Sequence, residues 1–262
     1  NSMQVGFITN LKKILAAGEK RALLISATGT GKTYASAFAM RELGFRRVLF
    51  LVHRGQLARQ TRKSYEKVFA NTVSMGLVGA GYHEYEADYV FATVQTLNRD
   101  EHLLQYAKDA FDCIVLDEAH HVPADTYRKI MDHFTPKLWL GMTATPDKRD
   151  DNVEGRNVYE IFNYQIAYEI RLQQAMEENL LCPFHYFGIT DLSMIGDEEA
   201  ARDFNMLTSD ERVRHIVNQA DYYGYSGDKV KGLIFCSNIK ETEELSAKFN
   251  QIINPATGKN FR

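Results

Sequence analysis

The run Ser-Ala-Thr-Gly-Thr-Gly-Lys-Thr, Ser26 to Thr33, follows the apolar segment Ala22–Ile25 and leads into a helical pattern, Lys32–Leu43. A strand that ends in glycines, lysine and threonine suits a phosphate. Backbone N–H groups of Thr28, Gly29, Thr30 and Gly31 can converge on phosphate oxygens, and the helix N-terminus adds its dipole. Lys32 would reach the outer phosphates, and Thr33 would offer its hydroxyl to Mg2+. The general pattern opens on glycine, whereas Ser26 stands there in this chain. A second constellation, Asp117-Glu118-Ala119-His120, follows another apolar run, Asp112–Leu116. A carboxylate at a neighbouring strand end can serve the same cation, the role predicted for Asp117. Glu118, one residue on, can orient and deprotonate an attacking water. Kinases, GTPases, transporters and helicases all use such parts, so the chemistry alone does not fix the machine.

These residues need strands to carry them. Predicted strands are Ala22–Ser26, Val48–Val52, Thr72–Leu77, Tyr89–Thr93, Asp112–Leu116 and Leu138–Met142, with helices at Lys32–Leu43, Gln56–Phe69 and Asp125–Phe134. Several strands are continuous apolar runs, as expected when both faces are covered. The alternation predicts an α/β fold, a parallel sheet flanked by helices, with ligands at the carboxyl ends of the strands. The 262 residues carry a net charge of −3, which gives no global basic signature, so any nucleic-acid contact must be local. No apolar run approaches the roughly 18 residues of a membrane helix, so no membrane partner is expected. Three scattered cysteines, Cys113, Cys182 and Cys236, read as buried thiols of a reducing, cytoplasmic protein, and the eight histidines lack metal-ligand spacing.

With Met142-Thr-Ala-Thr-Pro146 added, the three motifs resemble motifs I, II and III of superfamily-two helicases. The DEAH spelling and the T-A-T-P run resemble the DNA-directed group of restriction-enzyme motors and bacterial repair helicases. That superfamily commonly has a small residue where Ser26 stands. The resemblance implies a RecA-like P-loop (Walker A) fold using ATP and Mg2+. It implies an adenine-reading role for Gln4, and a coupling role for His120, Thr143 and Thr145 between the γ-phosphate and a nucleic-acid track. Leu51–Leu57 resembles motif Ia and Ala92–Leu97 motif Ib, so His53, Arg54, Thr93, Gln95 and Thr96 are candidate donors to backbone phosphates. DNA is the favoured partner; RNA, or a nucleotide-binding switch without turnover, is the alternative. Arg59, Arg62, Lys63 and Lys67 read as a solvated helix face, and Trp139 as core.

The later chain is less regular. The expected organisation is a first lobe at 1–148, a connector at 149–208 and the beginning of a second RecA-like lobe at 209–262. The connector carries a polar loop at 147–156, a helix near Leu172–Leu181, a strand near Phe184–Gly188 and an acidic stretch, Asp191–Asp203. A helix at Asp210–Tyr223, a strand at Lys231–Ser237 and a helix at Ile239–Asn250 resemble the entry to motif IV. Motifs V and VI, with their arginine finger, do not follow within the 262 residues. The expectation is a nucleic-acid-dependent ATPase that binds MgATP but turns it over slowly as this chain alone, with further domains or subunits in the parent protein.

Overall fold

The computed structural model describes residues 2–122, 125–146, 157–189, 203–224, 232–253, 258 and 260. The predicted polar loop at 147–156 and most of the acidic stretch, 191–202, lie outside them. The chain divides into two compact units, Asn1–Pro183 and Phe184–Arg262.

The first unit is built on one sheet. Its strands are β1 (Arg21–Ser26), β2 (Val48–Val52), β3 (Met75–Gly79), β4 (Tyr82–His83), β5 (Tyr89–Thr93), β6 (Cys113–Asp117), β7 (Leu138–Thr143) and β8 (Ile166–Ile170). They lie in the order β4-β3-β5-β2-β6-β7-β1-β8. Every pairing is parallel except the short β3–β4 hairpin. Side chains alternate between the two faces, as the pleat requires. Leu24, Phe50 and Val115 pack on one face with Met3, Phe7 and Leu11 of α1 (Ser2–Ala16), with α2 (Lys32–Leu43), and with Tyr65 and Phe69 of α3 (Gly55–Phe69). Ile25, Leu51 and Leu116 point the other way, toward Val94 and Leu97 of α4 (Val94–Leu97), Leu103 of α5 (Asp100–Leu103), and Tyr127 and Ile130 of α6 (Asp125–His133). Trp139 is buried in this second layer.

Two strands were not expected. β4 is a two-residue edge strand. β8 adds to the far edge beside β1, between α7 (Val158–Ile161) and α8 (Leu172–Glu177), so residues 157–183, expected within the connector, belong to the first unit. Ala167 and Ile170 are buried against α1 and β1, while Ile166 and Glu169 face outward. Gly6 of α1 allows that approach, because a Cβ there would come within 2.8 Å of the Tyr168 ring.

In the second unit, α10 (Asp210–Tyr223) and α11 (Ile239–Phe249) pack through Val213 and Leu245. A short helix, α9 (Phe204–Leu207), precedes them. Buried Glu241 accepts from the Ser237 N–H at 2.9 Å and from the Ser237 hydroxyl at 2.7 Å, contacts that hold its carboxyl below the usual range. The predicted strands at 184–188 and 231–237 do not form among the described residues. Leu233 and Phe235 stand 86% and 92% exposed. A strand exists by hydrogen-bonding a neighbour, and the described residues of this unit supply none beyond one isolated bridge, Ile253 to Asn260.

Candidate nucleotide site and the rim of strand tips

β6, β7 and β1 are consecutive in the sheet, and all run the same way. Asp117 of β6 pairs across to Met142, and Thr143 of β7 to Ile25 of β1. The glycine loop, the acidic pair and the threonine loop therefore leave adjacent strands at one end of the sheet, about 4.8 Å apart per strand.

The loop after β1 is shaped by its glycines. Gly29 and Gly31 have φ of 89° and 93°, in the left-handed region that side chains disfavour, and a Cβ at Gly31 would meet nothing within 4 Å. Thr28 and Gly29 are exposed; Gly31, Lys32 and Thr33 are half-buried. The first N–H groups of α2 lack intrahelical partners and open toward this loop. Ser26 is fully buried, and its role is visible. Thr30 donates its hydroxyl to the Ala27 carbonyl at 2.7 Å, leaving Ser26 to donate to Thr30. The serine braces the loop from within, where a glycine could not.

Lys32 folds back, donating from Nζ to the Ser26 carbonyl at 2.9 Å and reaching the Ala27 carbonyl at 3.5 Å. Burial lowers its pKa, and the carboxylates of Glu118 and Asp117 work against that shift, so the ammonium shares one field with both acids. Asp117 shows the complementary strain. Burial first, then the neighbouring Glu118 carboxylate, push it up to about 6. Glu118 donates its N–H to Asp117 Oδ1 at 3.1 Å and sits at φ 52°, ψ 54°, a left-handed conformation that is uncommon outside glycine. A hard cation held here would relieve this pair, lowering the proton affinity of Asp117 and compensating the crowded charge.

His120 occupies the single-turn 3₁₀ helix Ala119–His121. Its Nδ1 lies 3.4 Å from Glu118 Oε2 and 3.1 Å from the Thr143 hydroxyl, which also accepts the Thr145 N–H at 3.2 Å. The structure thus brings His120, Thr143 and the Thr145 backbone together beside the acidic pair. Gln4 lies half-buried on α1, which packs against α2 and β8.

The rim continues on the other side of β6. Leu116 pairs with Leu51 of β2, Val52 with Thr93 of β5, and Ala92 with Val78 of β3. The tips that follow carry His53 and Arg54, Thr93 to Thr96, and Gly79. Most of the candidate donors here are tied to one another. Thr93 accepts the Thr96 N–H at 3.2 Å, capping α4, and donates to the Thr96 hydroxyl at 2.9 Å. Gln95 Nε2 donates to His53 Nδ1 at 3.2 Å, and His53 Nε2 lies 3.0 Å from the Tyr127 hydroxyl. Both His53 nitrogens are thereby engaged within the protein, which does not suit it to donate to a phosphate. Arg54 is exposed. A cleft of about 580 Å³ opens at the β3–β4 turn, lined among others by Gly79, Gly81, Gln95, Thr96 and Arg99. The β3–β4 turn and Arg99 escaped the sequence reading, although Gly-Ala-Gly at 79–81 is a turn signal after an apolar run. On α3, Arg62 pairs with Glu66 at 2.9 Å and reaches Glu84 at 3.4 Å, in keeping with a solvated face.

Among the described residues no group of three histidine, cysteine, aspartate or glutamate side chains could hold a metal ion. No helix among them is long and apolar enough to cross a membrane. The cysteines are free; Cys113 is buried, but Cys182 is exposed, contrary to the expectation of three buried thiols.

Comparison with known proteins bears on the fold and the family. Residues 1–148 match the family model described as Type III restriction enzyme, res subunit. The chain is 28% identical to the type I restriction enzyme EcoAI endonuclease subunit of Escherichia coli, over 92% of this chain and 33% of that protein. It is 28% identical to the putative ATP-dependent helicase IRC3 of Saccharomyces cerevisiae, over 71% of this chain and 28% of that protein. It therefore spans about a third or less of the length of these relatives. Among solved structures, the type ISP restriction-modification enzyme LlaBIII bound to DNA matches with a TM-score of 0.65 at 19% identity, covering 95% of this chain and 21% of that one. The helicase domain of Pyrococcus furiosus Hef matches with a TM-score of 0.54 at 18% identity, over 93% and 52% of the two chains. These neighbours share the RecA-like fold of the first unit's parallel sheet. By the family match over more than half its length, the chain belongs to the type III restriction enzyme res-subunit family, a branch of the superfamily-two helicase-like motors.

Proposed function

We propose that this chain carries the nucleotide-binding lobe of an ATP-driven DNA translocase or helicase, with α10 and α11 opening a second lobe. The observation that carries the reading is the meeting of three strand tips, those of β1, β6 and β7, around Lys32, Asp117, Glu118 and Thr143. The donor set fits a magnesium nucleoside triphosphate. Exposed, glycine-shaped backbone and the Lys32 ammonium suit phosphate oxygens. The Thr33 hydroxyl and the raised Asp117 carboxyl are hard oxygen ligands of the kind Mg2+ takes. When bound, the ion neutralises charge on the phosphates.

The chain's own residues do the rest. Lys32 exchanges its contacts with the Ser26 and Ala27 carbonyls for phosphate oxygens. Glu118, held by its left-handed backbone at the rim, accepts the proton of the attacking water. His120 and Thr143 bond to one another beside it, so a change in the position of Glu118 reaches the β7 tip. Gln4 is the assigned adenine contact. On the other half of the rim, Arg54 and the Thr93–Thr96 turn line the track of a nucleic-acid strand, contacting phosphate rather than reading bases.

The restriction-enzyme relative and the DNA-bound structural neighbour support DNA over RNA. The test is phosphate release by the full-length protein with single-stranded DNA, duplex DNA or RNA. Stimulation by DNA is expected. Stimulation by RNA alone reassigns the substrate, and no stimulation by any of the three contradicts the reading.

A further inference from the structure

His53 stands at the junction of the two halves of the rim, at the tip of β2 beside β6. Continuing the Leu51–Leu116 register by two residues puts it level with Glu118. Its ring makes contacts in three directions. Nδ1 accepts from the Gln95 amide at 3.2 Å on the β5 side. The other nitrogen then carries the proton in a neutral ring, and it donates to Tyr127 of α6 at 3.0 Å. Edge-on, His53 meets the His121 ring at 4.2 Å between centroids, and His121 meets His120 at 4.0 Å. His120 in turn contacts Glu118 and Thr143. An unbroken series of packed rings and hydrogen bonds thus runs from the acidic pair to the turn that lines the 580 Å³ cleft.

We propose that His53 is a positioning residue that couples the nucleotide site to the nucleic-acid track, locking the β5 turn to the acidic-pair loop through Gln95, Tyr127 and His121. The proposal rests on the function given above. Three features favour this role over phosphate contact. Both ring nitrogens are occupied by protein partners. Burial, with His120 nearby, lowers the His53 pKa, so the ring stays neutral and can accept from Gln95. Tyr127 is fully buried, so its hydroxyl is aimed by packing and not by solvent. Coupling between sites is carried by contiguous contacts of this kind when they have two arrangements, and a shift of Glu118 toward or away from the γ-phosphate supplies the second.

The test is the coupling factor in the full-length protein: the ratio of dissociation constants for a fluorescein-labelled single-stranded DNA without and with Mg2+ and a non-hydrolysable ATP analogue. A wild-type ratio of at least about fivefold is expected. His53→Ala should bring it within about twofold of unity, and Tyr127→Phe, which keeps the buried ring and removes only the hydroxyl, should lower it as well. Should His53→Ala fail to fold, Tyr127→Phe carries the test alone. A general packing role would shift the melting temperature and both affinities while leaving the ratio intact, and that result overturns the proposal. So does a wild-type ratio of one with both ligands bound. If the wild type binds neither ligand, the functional reading itself fails, which is a separate outcome.

Discussion

Glu118 joins a left-handed backbone to a carboxylate 3.4 Å from His120 and one residue from a carboxyl raised to about 6. Strained conformations of this kind cost about 1–3 kcal/mol and persist where the surroundings hold them. Glu118→Gln keeps the shape and removes the base, so MgATP affinity should persist while turnover by the full-length protein falls by about 10²–10⁴. Equal turnover in the two proteins would remove Glu118 from the chemistry. His53 gives a second expectation. Its folded pKa lies below the ordinary 6.5, so the unfolded chain binds a proton that the folded chain refuses. Stability linked to His53 is therefore present above pH 6.5 and lost as the pH falls below it. The melting temperature of His53→Asn should decline less steeply than wild type between about pH 6.5 and 5.5; parallel curves would mean the ring is not held neutral. The glycine loop and acidic pair were legible in the sequence because each ends an apolar run, and strand ends are where ligands bind. The partners of His53 were not. Tyr127 lies 74 positions away, and only the sheet order sets α6 over the tip of β2.

At the next level up, the tips depend on turns that tolerate little. Gly79 has φ 108°, and a Cβ there would stand 2.5 Å from the Thr96 hydroxyl oxygen. Gly79→Ala combines a forbidden φ with a clash against the α4 turn. It should lower stability by about 1–3 kcal/mol, seen as an earlier urea midpoint at unchanged slope, and it should weaken DNA binding through Thr96. An unchanged midpoint would show that this turn is not a fixed support. The six strands expected in the first lobe all form, with β3 displaced to Met75–Gly79 from the expected Thr72–Leu77 and β6 shifted one residue to Cys113–Asp117. β8 was hidden because it is an edge strand, half exposed, with two inward residues among five. The run Leu233–Cys236 is the reverse case. Its residues have the apolar character of a strand, but strand formation needs a hydrogen-bonded neighbour, and local composition cannot supply one.

Taken together, the parallel sheet works as a ruler. Its order sets the half of the rim proposed for phosphate, β1, β7 and β6, next to the half formed by β2, β5 and β3, with His53 at their junction. On the proposed function, one sheet end would hold a nucleotide and a polymer without mixing their contacts. If Lys32 and Asp117 serve one magnesium triphosphate, thermal unfolding of this chain with and without MgATP registers it most directly. Ligand at a hundred times its dissociation constant stabilises by about 2.7 kcal/mol, a rise of roughly 5–10 °C in Tm for a protein of this size. Wild type should show that rise, and folded Lys32→Ala and Asp117→Asn should show little of it. No rise in wild type, or a full rise in Asp117→Asn, would contradict the shared site.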